Sequence, residues 1–318
     1  MNYYLSIFTL GGINVILILG LILLTSYTGL FSMGNAGFMM IGAYCAAALY
    51  VYFHIPFFLA LLGAGLISMI CGLLIGIPTV RSHLKGDHFA VAFLGFANAV
   101  KVLICNIEIG DFDGALGIKS IPKLTKWYII LIICAVFIYL LWNFIHSAYG
   151  RNCRAVREQE IAAQTMGINI YGTKLRSVLV NAFTTGIGGG LFAFYATIVV
   201  PTMFTQNQSS NHLIAVVFGG INSVTGPVLS TFVLAIMPEL LRFVNTWRLV
   251  IYGILIVVIM LVKPEGLLGY KEINFRWVKP CIRKIRSQSP RDYCQKVKAF
   301  ITNSKHKIRK RSRKGGKS

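Results

Sequence analysis

The sequence predicts an all-α, polytopic integral membrane protein with about nine transmembrane helices (eight to ten), some of them short or broken. Of its 318 residues, 56% are hydrophobic and 13% are charged, whereas a soluble domain usually carries about a quarter charged residues. Several apolar runs reach the roughly 20 residues that a helix needs to cross a bilayer. Positive charge is also unevenly placed, with 17 of the 31 Lys and Arg residues after residue 270. These observations argue against a soluble cytosolic enzyme.

The predicted helices follow from the lengths of the apolar runs. Five runs have the full length for a span, at about residues 4–25, 56–77, 89–105, 127–144 and 178–200. Four others are shorter or interrupted by glycine, at 36–53, 213–224, 226–241 and 249–262. The first run lacks the positive residues that begin a signal peptide and is too long for one, so we expect it to remain as the first span.

The positive charges predict the sidedness of the chain, because cytoplasmic loops of membrane proteins are enriched in Lys and Arg. If the loop at about 145–177 is cytoplasmic, the segment 78–88 and the chain from residue 263 onward share that side, and these three hold 25 of the 31 basic residues. The N-terminus then lies outside and the C-terminus in the cytoplasm. We divide the chain into a transmembrane domain, 1–270, and a basic tail, 271–318, expected to be largely disordered and close to anionic lipid. We expect no nucleic-acid binding by the tail, because it has neither an aromatic stacking platform nor a fold that would support such binding.

Two stretches place glycine and polar residues at membrane depth. Residues 26–43 contain Ser32 and Asn35, and residues 218–228 contain Asn222. Irregular backbone at this depth is tolerated only where protein buries it or where it lines a watery path. Both interpretations stay open: a tight helix contact, or a translocation path in which Ser32, Asn35 and Asn222 are the candidate residues.

No pattern in the sequence predicts a catalytic, metal or nucleotide site. The seven cysteines are scattered singly, without a Cys-x-x-Cys pair or a Cys/His cluster of zinc spacing. The glycine-rich run at 186–191 lies in a predicted span with no preceding strand, which favours helix packing over a dinucleotide fingerprint. We therefore expect no cofactor and no ATP site in this chain.

The loop at 145–177 predicts short helices, one of which Gly167 can end. It is either a solvated connection or a helix that docks on a cytosolic partner. On the second interpretation the small residues of the loop are small because a partner packs over them. The candidate docking residues are Arg157, Glu158, Glu160, Ile161, Ala162, Ala163, Met166 and Gly167.

Residues 161–167, Ile-Ala-Ala-x-x-x-Gly, resemble the EAA loop of permeases of ATP-binding-cassette importers, specifically the branched-chain amino acid (LivM-like) family. Glu160 lies one position before the acidic position of that pattern, which Ile161 occupies. Further stretches resemble the family in the same order, so that the resemblance covers roughly residues 20–270: they are 27–38, 84–90, 113–122, 218–228, 238–242 and 263–269.

This resemblance implies a non-enzymatic subunit of the bacterial plasma (inner) membrane that forms half of a translocation pore for branched-chain amino acids. It implies a second permease subunit as heterodimer partner, two cytosolic ATPases that bind the ATP, and an extracytoplasmic substrate-binding protein. A permease of the same family for urea or short amides is an alternative. A self-contained secondary transporter or channel is a different class, and it would need intramembrane carboxylates, which are scarce here: Asp87 lies at a boundary and Glu239 near a helix end.

Overall fold

The computed structural model describes residues 2–82, 84, 86–109, 112–119, 121–220, 223–240 and 253. Within these residues the chain forms ten α-helices and one two-stranded hairpin. In chain order they are α1 (Asn2–Leu21), which continues as a π-helix (Ile22–Tyr27), α2 (Asn35–Val51), α3 (Phe57–Arg81), α4 (Gly86–Cys105), β1 (Glu108–Ile109), β2 (Phe112–Asp113), α5 (Trp127–His146), α6 (Ala148–Glu158), α7 (Glu160–Thr165), α8 (Ile170–Ala196), a 3-10 turn (Pro201–Met203), α9 (Gln206–Gly219) and α10 (Thr225–Leu240). The antiparallel strands pair Glu108 with Asp113 and Ile109 with Phe112.

The helical membrane fold predicted from the apolar runs is confirmed. Among the described residues, five helices are long and apolar enough to cross a bilayer, namely Leu5–Tyr27, Phe57–Arg81, Gly86–Cys105, Trp127–His146 and Ile170–Ala196. The shorter apolar helices α2 and α10 match the predicted runs 36–53 and 226–241. Helix α9 overlaps the predicted run 213–224 but begins earlier, at Gln206, and ends at Gly219. The ninth predicted run, 249–262, lies outside the described residues apart from residue 253.

The predicted start of the fifth long span at residue 178 is wrong, because α8 begins at Ile170. Asn169 caps the helix: its side-chain oxygen accepts the N–H of Gly172 at 2.9 Å. A cap of this kind satisfies one of the free N–H groups of the first turn, so the helix extends through the polar residues Thr173 and Lys174. The apolar run marks only the part of α8 that hydropathy detects.

Helices α1 and α8 form the centre of the bundle. In each, 78% of the apolar stretch is buried inside the protein, against 22–33% for α3, α4 and α5. Helix α8 packs against α1, α2 and α3. The close approach of α2 to α8 requires glycine on both sides, because a Cβ on Gly42 would overlap the main-chain carbonyl of Gly186 and a Cβ on Gly189 would overlap that of Met39. This contact confirms helix packing as the role of the 186–191 run.

Helix α2 begins inside the bundle rather than at its end. After the π-helix the chain turns at Gly29, whose φ is +77°, and runs back to Asn35, the first residue of α2. The side-chain amide of Asn35 donates to the carbonyl of Leu17 at 3.2 Å, which places it beside the second half of α1. The irregular backbone expected at 26–43 is therefore confined to the connection and is buried by protein.

The glycine contact between α2 and α8 predicts a large difference between two conservative substitutions. Gly42→Ala is expected to lower the free energy of unfolding by about 1–3 kcal/mol, because the added methyl group must push two helix backbones apart. Gly95→Ala in α4 is the matched control, since no atom lies within 4 Å of the added group. Thermal unfolding of the purified chain in detergent compares them, and equal midpoints would contradict the packing assignment.

Candidate functional site

The candidate docking residues lie on α6 and α7, two short helices that together we call the α6–α7 pair (residues 148–167). Gln159 separates them in an extended conformation, with φ −158° and ψ 108°. Helix α7 ends in a Schellman motif: Gly167 donates its N–H to the carbonyl of Gln164 at 3.0 Å, and Ile168 donates to that of Ala163 at 3.1 Å. Gly167 has a φ of +81°, a conformation that glycine adopts without strain, and so its identity has a local cause.

Some of the predicted docking residues face outward. Ile161 and Met166 are large apolar side chains with exposed fractions of 73% and 82%. Glu158, Ala162 and Gly167 are also exposed. These five residues form a mixed apolar and polar surface, which we call the docking surface.

The other predicted docking residues face the chain itself. Ala163 is buried, so contact within the chain accounts for its small side chain without a partner. Glu160 forms an ion pair with Lys174 of α8, with 2.8 Å between Oε1 and Nζ, and the Lys174 side chain is only 4% exposed. This ion pair fixes α7 to the first turns of α8.

Arg157 also points inward, toward the connection between α1 and α2. Its Nη1 donates to the carbonyl of Ser26 at 2.5 Å. One turn earlier, the guanidinium of Arg154 lies 5.1 Å from the centroid of the Tyr27 ring, within cation–π distance. Beside these contacts lies a cleft of about 350 Å³ between the α6–α7 pair, the connection after the π-helix and the start of α4. It is lined by residues 28–30, 86 and 156–161.

Asn35, predicted for the translocation path, belongs to a buried polar network. Its amide nitrogen lies 3.3 Å from Nδ1 of His212, and its carbonyl oxygen accepts the hydroxyl of Thr185 at 3.1 Å. The main-chain N–H of the next residue, Ala36, donates to the hydroxyl of Ser209 at 2.8 Å. All the side chains of this network are buried, and they join α2, α8 and α9.

The other two path candidates have separate outcomes. Ser32 is buried and accepts the N–H of Gly34 at 3.3 Å, a contact within the connection. Asn222 lies outside the described residues. The sequence reasoning missed Thr185, Ser209 and His212, although a signal exists: Ser209 and His212 are spaced i and i+3, as expected for polar residues on one face of a helix.

Sequence reasoning also missed a polar position on the outer face of α4. Asn98 is exposed in the described part of the chain, and it shares a face with Val91, Gly95 and Val102. The exposed face of α3 differs, because it consists of side chains such as Leu62 and Ile70. Helix α5 does expose an amide, Asn143, but in its last turn, whereas Asn98 lies well before the end of α4. Lipid offers an amide no hydrogen-bond partner, so the α4 face is suited to contact with protein or water.

The chain was compared with known protein families and proteins. The family described as "Branched-chain amino acid transport system / permease component" matches residues 3–260. The chain is 31% identical over 298 residues to the high-affinity branched-chain amino acid transport system permease protein LivM of Salmonella typhimurium, covering 83% of this chain and 69% of the relative. It is 24% identical over 283 residues to the probable branched-chain amino acid transport permease protein LivH of Methanocaldococcus jannaschii, covering 80% and 88%.

A shorter match relates the chain to the guanosine ABC transporter permease protein NupQ of Bacillus subtilis, with 29% identity over 109 residues, 32% of this chain and 34% of the relative. No solved structure matches the chain. The family match extends over most of the residues that form α1 to α10, and the helices described above have the length and hydrophobicity of a multi-pass membrane protein. This chain therefore belongs to the family of permease components of branched-chain amino acid transport systems.

Proposed function

We propose that this chain is one of two permease subunits of an ATP-binding-cassette importer and forms half of its translocation pore. Two cytosolic ATPases bind and hydrolyse the ATP, and an extracytoplasmic binding protein delivers the substrate, so the chain itself is not an enzyme and holds no cofactor. The observation that carries this proposal is the docking surface at the end of the helical bundle, together with the family membership.

The composition of the docking surface suits a protein partner better than lipid or water. Ile161 and Met166 are exposed apolar side chains, yet Glu158, Gln159 and Gln164 beside them are polar and also exposed. An apolar centre rimmed by polar residues is typical of protein interfaces. A cytosolic ATPase subunit is the partner that an importer requires at this place.

The sidedness of the chain follows from which elements share an end of the bundle. The end of α1, the start of α4 and the α6–α7 pair line one cleft and so lie together. A second cleft joins the start of α1 with residues 123–128 and Tyr195, at the ends of α1, α5 and α8 away from the first cleft. We assign the first end to the cytoplasm of a bacterial plasma membrane, because the α6–α7 pair and its flanks carry five basic residues.

We assign the pore-facing side of this chain to the face of α4 that carries Gly95 and Asn98. A polar amide on an otherwise apolar outer face is stabilised where a second permease subunit or a water-filled path covers it. Asn35 and Ser32 then act from within the chain, by holding the first turn of α2 beside this helix. Asn222 stays a path prediction, and the basic tail, 271–318, stays a predicted anionic-lipid contact outside the described residues.

Branched-chain amino acids are the proposed substrates, since relatives that align over most of the chain are named for them. A same-family permease for urea or short amides is the alternative. An ion-coupled secondary transporter is disfavoured because, among the acidic residues that the structure describes, only Asp87 and Glu239 fall in apolar helices, each within a turn of a helix end.

Loss of this chain is expected to abolish high-affinity uptake of leucine, isoleucine and valine by the native cell. Uptake of radiolabelled amino acids at micromolar concentration, with and without re-expression of the chain, measures this. Restored urea or acetamide uptake with unchanged leucine uptake would instead support the alternative substrate class.

Met166→Asp is expected to reduce the amount of ATPase subunit that co-purifies with the tagged chain by about tenfold or more. A carboxylate at an apolar interface loses its hydration, and a cost of about 1.4 kcal/mol already lowers binding tenfold. Leu116→Asp is the matched control, as Leu116 is an exposed apolar side chain (62%) in the segment between β2 and α5. Equal recovery of the ATPase with both variants would contradict the docking assignment.

Sidedness is tested by adding one cysteine to the chain at a time and labelling it with a membrane-impermeant maleimide. In spheroplasts, whose plasma membrane is intact, the Leu116→Cys variant is expected to react above the background of the parent chain. Met166→Cys is expected to react only after the membrane is permeabilised. The reverse pattern would invert the proposed orientation.

A further inference from the structure

We infer that Arg157 and Arg154 form a clamp that transmits movement of the α6–α7 pair to the connection between α1 and α2, so that they act as positioning residues in transport. This inference rests on the proposed function, and it concerns how the docking surface is linked to the membrane helices. The clamp consists of the two arginines and the segment Ser26 to Gly29.

The first contact of the clamp is a charged hydrogen bond at the end of α1. Ser26 lies in the π-helix that ends at Tyr27, and the last carbonyl groups of a helix have no partner within it. Arg157 supplies a partner from α6, with Nη1 2.5 Å from the Ser26 carbonyl oxygen. Hydrogen bonds with an ionised donor are stronger than neutral ones, so this contact joins the two helices firmly.

Two further contacts surround the same segment. The Cγ atom of Arg157 lies 3.0 Å from the place that a Cβ on Gly29 would occupy, so the side chain packs against the turn itself. The Arg154 guanidinium lies over the Tyr27 ring. Both arginines of α6 therefore contact the turn.

Helix α8 holds the same segment from another direction. The hydroxyl groups of Thr28 and Ser177 are 2.7 Å apart, and the Sγ of Cys153 in α6 is 3.6 Å from the Ser177 hydroxyl. The segment thus lies between α6 and α8, and a displacement of α6 relative to α8 acts on it directly.

The segment leads straight into the buried polar network. Asn35, the first residue of α2, follows Gly29 by six positions and contacts α1, α8 and α9 through its side chain. Movement of the clamp is therefore passed along a short connection to the start of α2. The chain offers a second, parallel link in the Glu160–Lys174 ion pair, which joins α7 to α8.

A capping role alone would make Arg157 important for stability but not for energy coupling. The two roles differ in what they predict for the assembled importer. A transmission role requires that loss of the arginine leaves the ATPases bound and working while transport per ATP falls. A capping role predicts a less stable protein whose intact fraction transports with normal stoichiometry.

The test uses the full importer reconstituted in proteoliposomes with its binding protein, and it measures ATP hydrolysed per leucine molecule transported. Arg157→Gln is expected to raise this ratio about fivefold or more, in the range of coupling effects between sites. Arg154→Gln removes an exposed guanidinium from one aromatic ring and is expected to raise it about two- to fivefold. Arg157→Lys keeps the charge and is expected to recover part of the coupling.

Arg151→Gln is the matched control, because Arg151 is an exposed arginine three residues before Arg154 on the same helix. Its ratio is expected to equal that of the unmodified importer. Unchanged ratios for Arg157→Gln and Arg154→Gln would overturn the clamp, and so would loss of the ATPases from either variant, which would make the residue a docking residue. If the unmodified chain neither retains ATPases nor transports leucine, the proposed function itself fails, independently of the clamp.

Discussion

The break in the first apolar helix is the constraint on which the rest of this structure depends. Between Tyr27, where the π-helix ends, and Asn35, where α2 begins, main-chain and side-chain polar groups are buried inside the protein. A buried polar group without a hydrogen-bond partner costs several kcal/mol. The chain therefore brings partners from distant segments: Arg157 from α6, Ser177 and Thr185 from α8, and Ser209 and His212 from α9. These partners determine how α6, α8 and α9 are placed around α1 and α2.

Small residues make this arrangement compatible with close packing. Helix α8 passes through the centre of the bundle because its glycines allow the backbones of α2 and α3 to approach it closely. Helices α3 and α5 then remain at the periphery with large aliphatic side chains outward, as suits acyl chains. Helix α4 exposes an amide, Asn98, away from its ends, whereas the exposed amide of α5, Asn143, lies in the last turn of that helix. The outer faces of the bundle are therefore not equivalent.

The α6–α7 pair divides its residues between two tasks. Ile161 and Met166 face outward, whereas Arg157 and Glu160 contact the membrane helices and Ala163 is buried. The Glu160–Lys174 pair illustrates the physical reason. A lysine ammonium group that is almost wholly buried requires a carboxylate partner, and removing either member would leave an uncompensated charge. In the proposed docking role, these bonds would carry a displacement of the α6–α7 pair to the helices that it contacts.

The sequence by itself determined the membrane fold, eight of the nine predicted helices and the position of the α6–α7 pair. The reason is that the thickness of a bilayer converts directly into the length of an apolar run, and that the Ile161–Gly167 motif is local. The start of α8 was missed because hydropathy does not detect a capped polar extension such as Asn169–Lys174. Only the tertiary structure decided which residues of the pair face outward, and that Asn35 meets a histidine 177 positions away. Spacing along the chain specifies the face of one helix, but the neighbour against which that face packs depends on contacts between segments far apart in sequence.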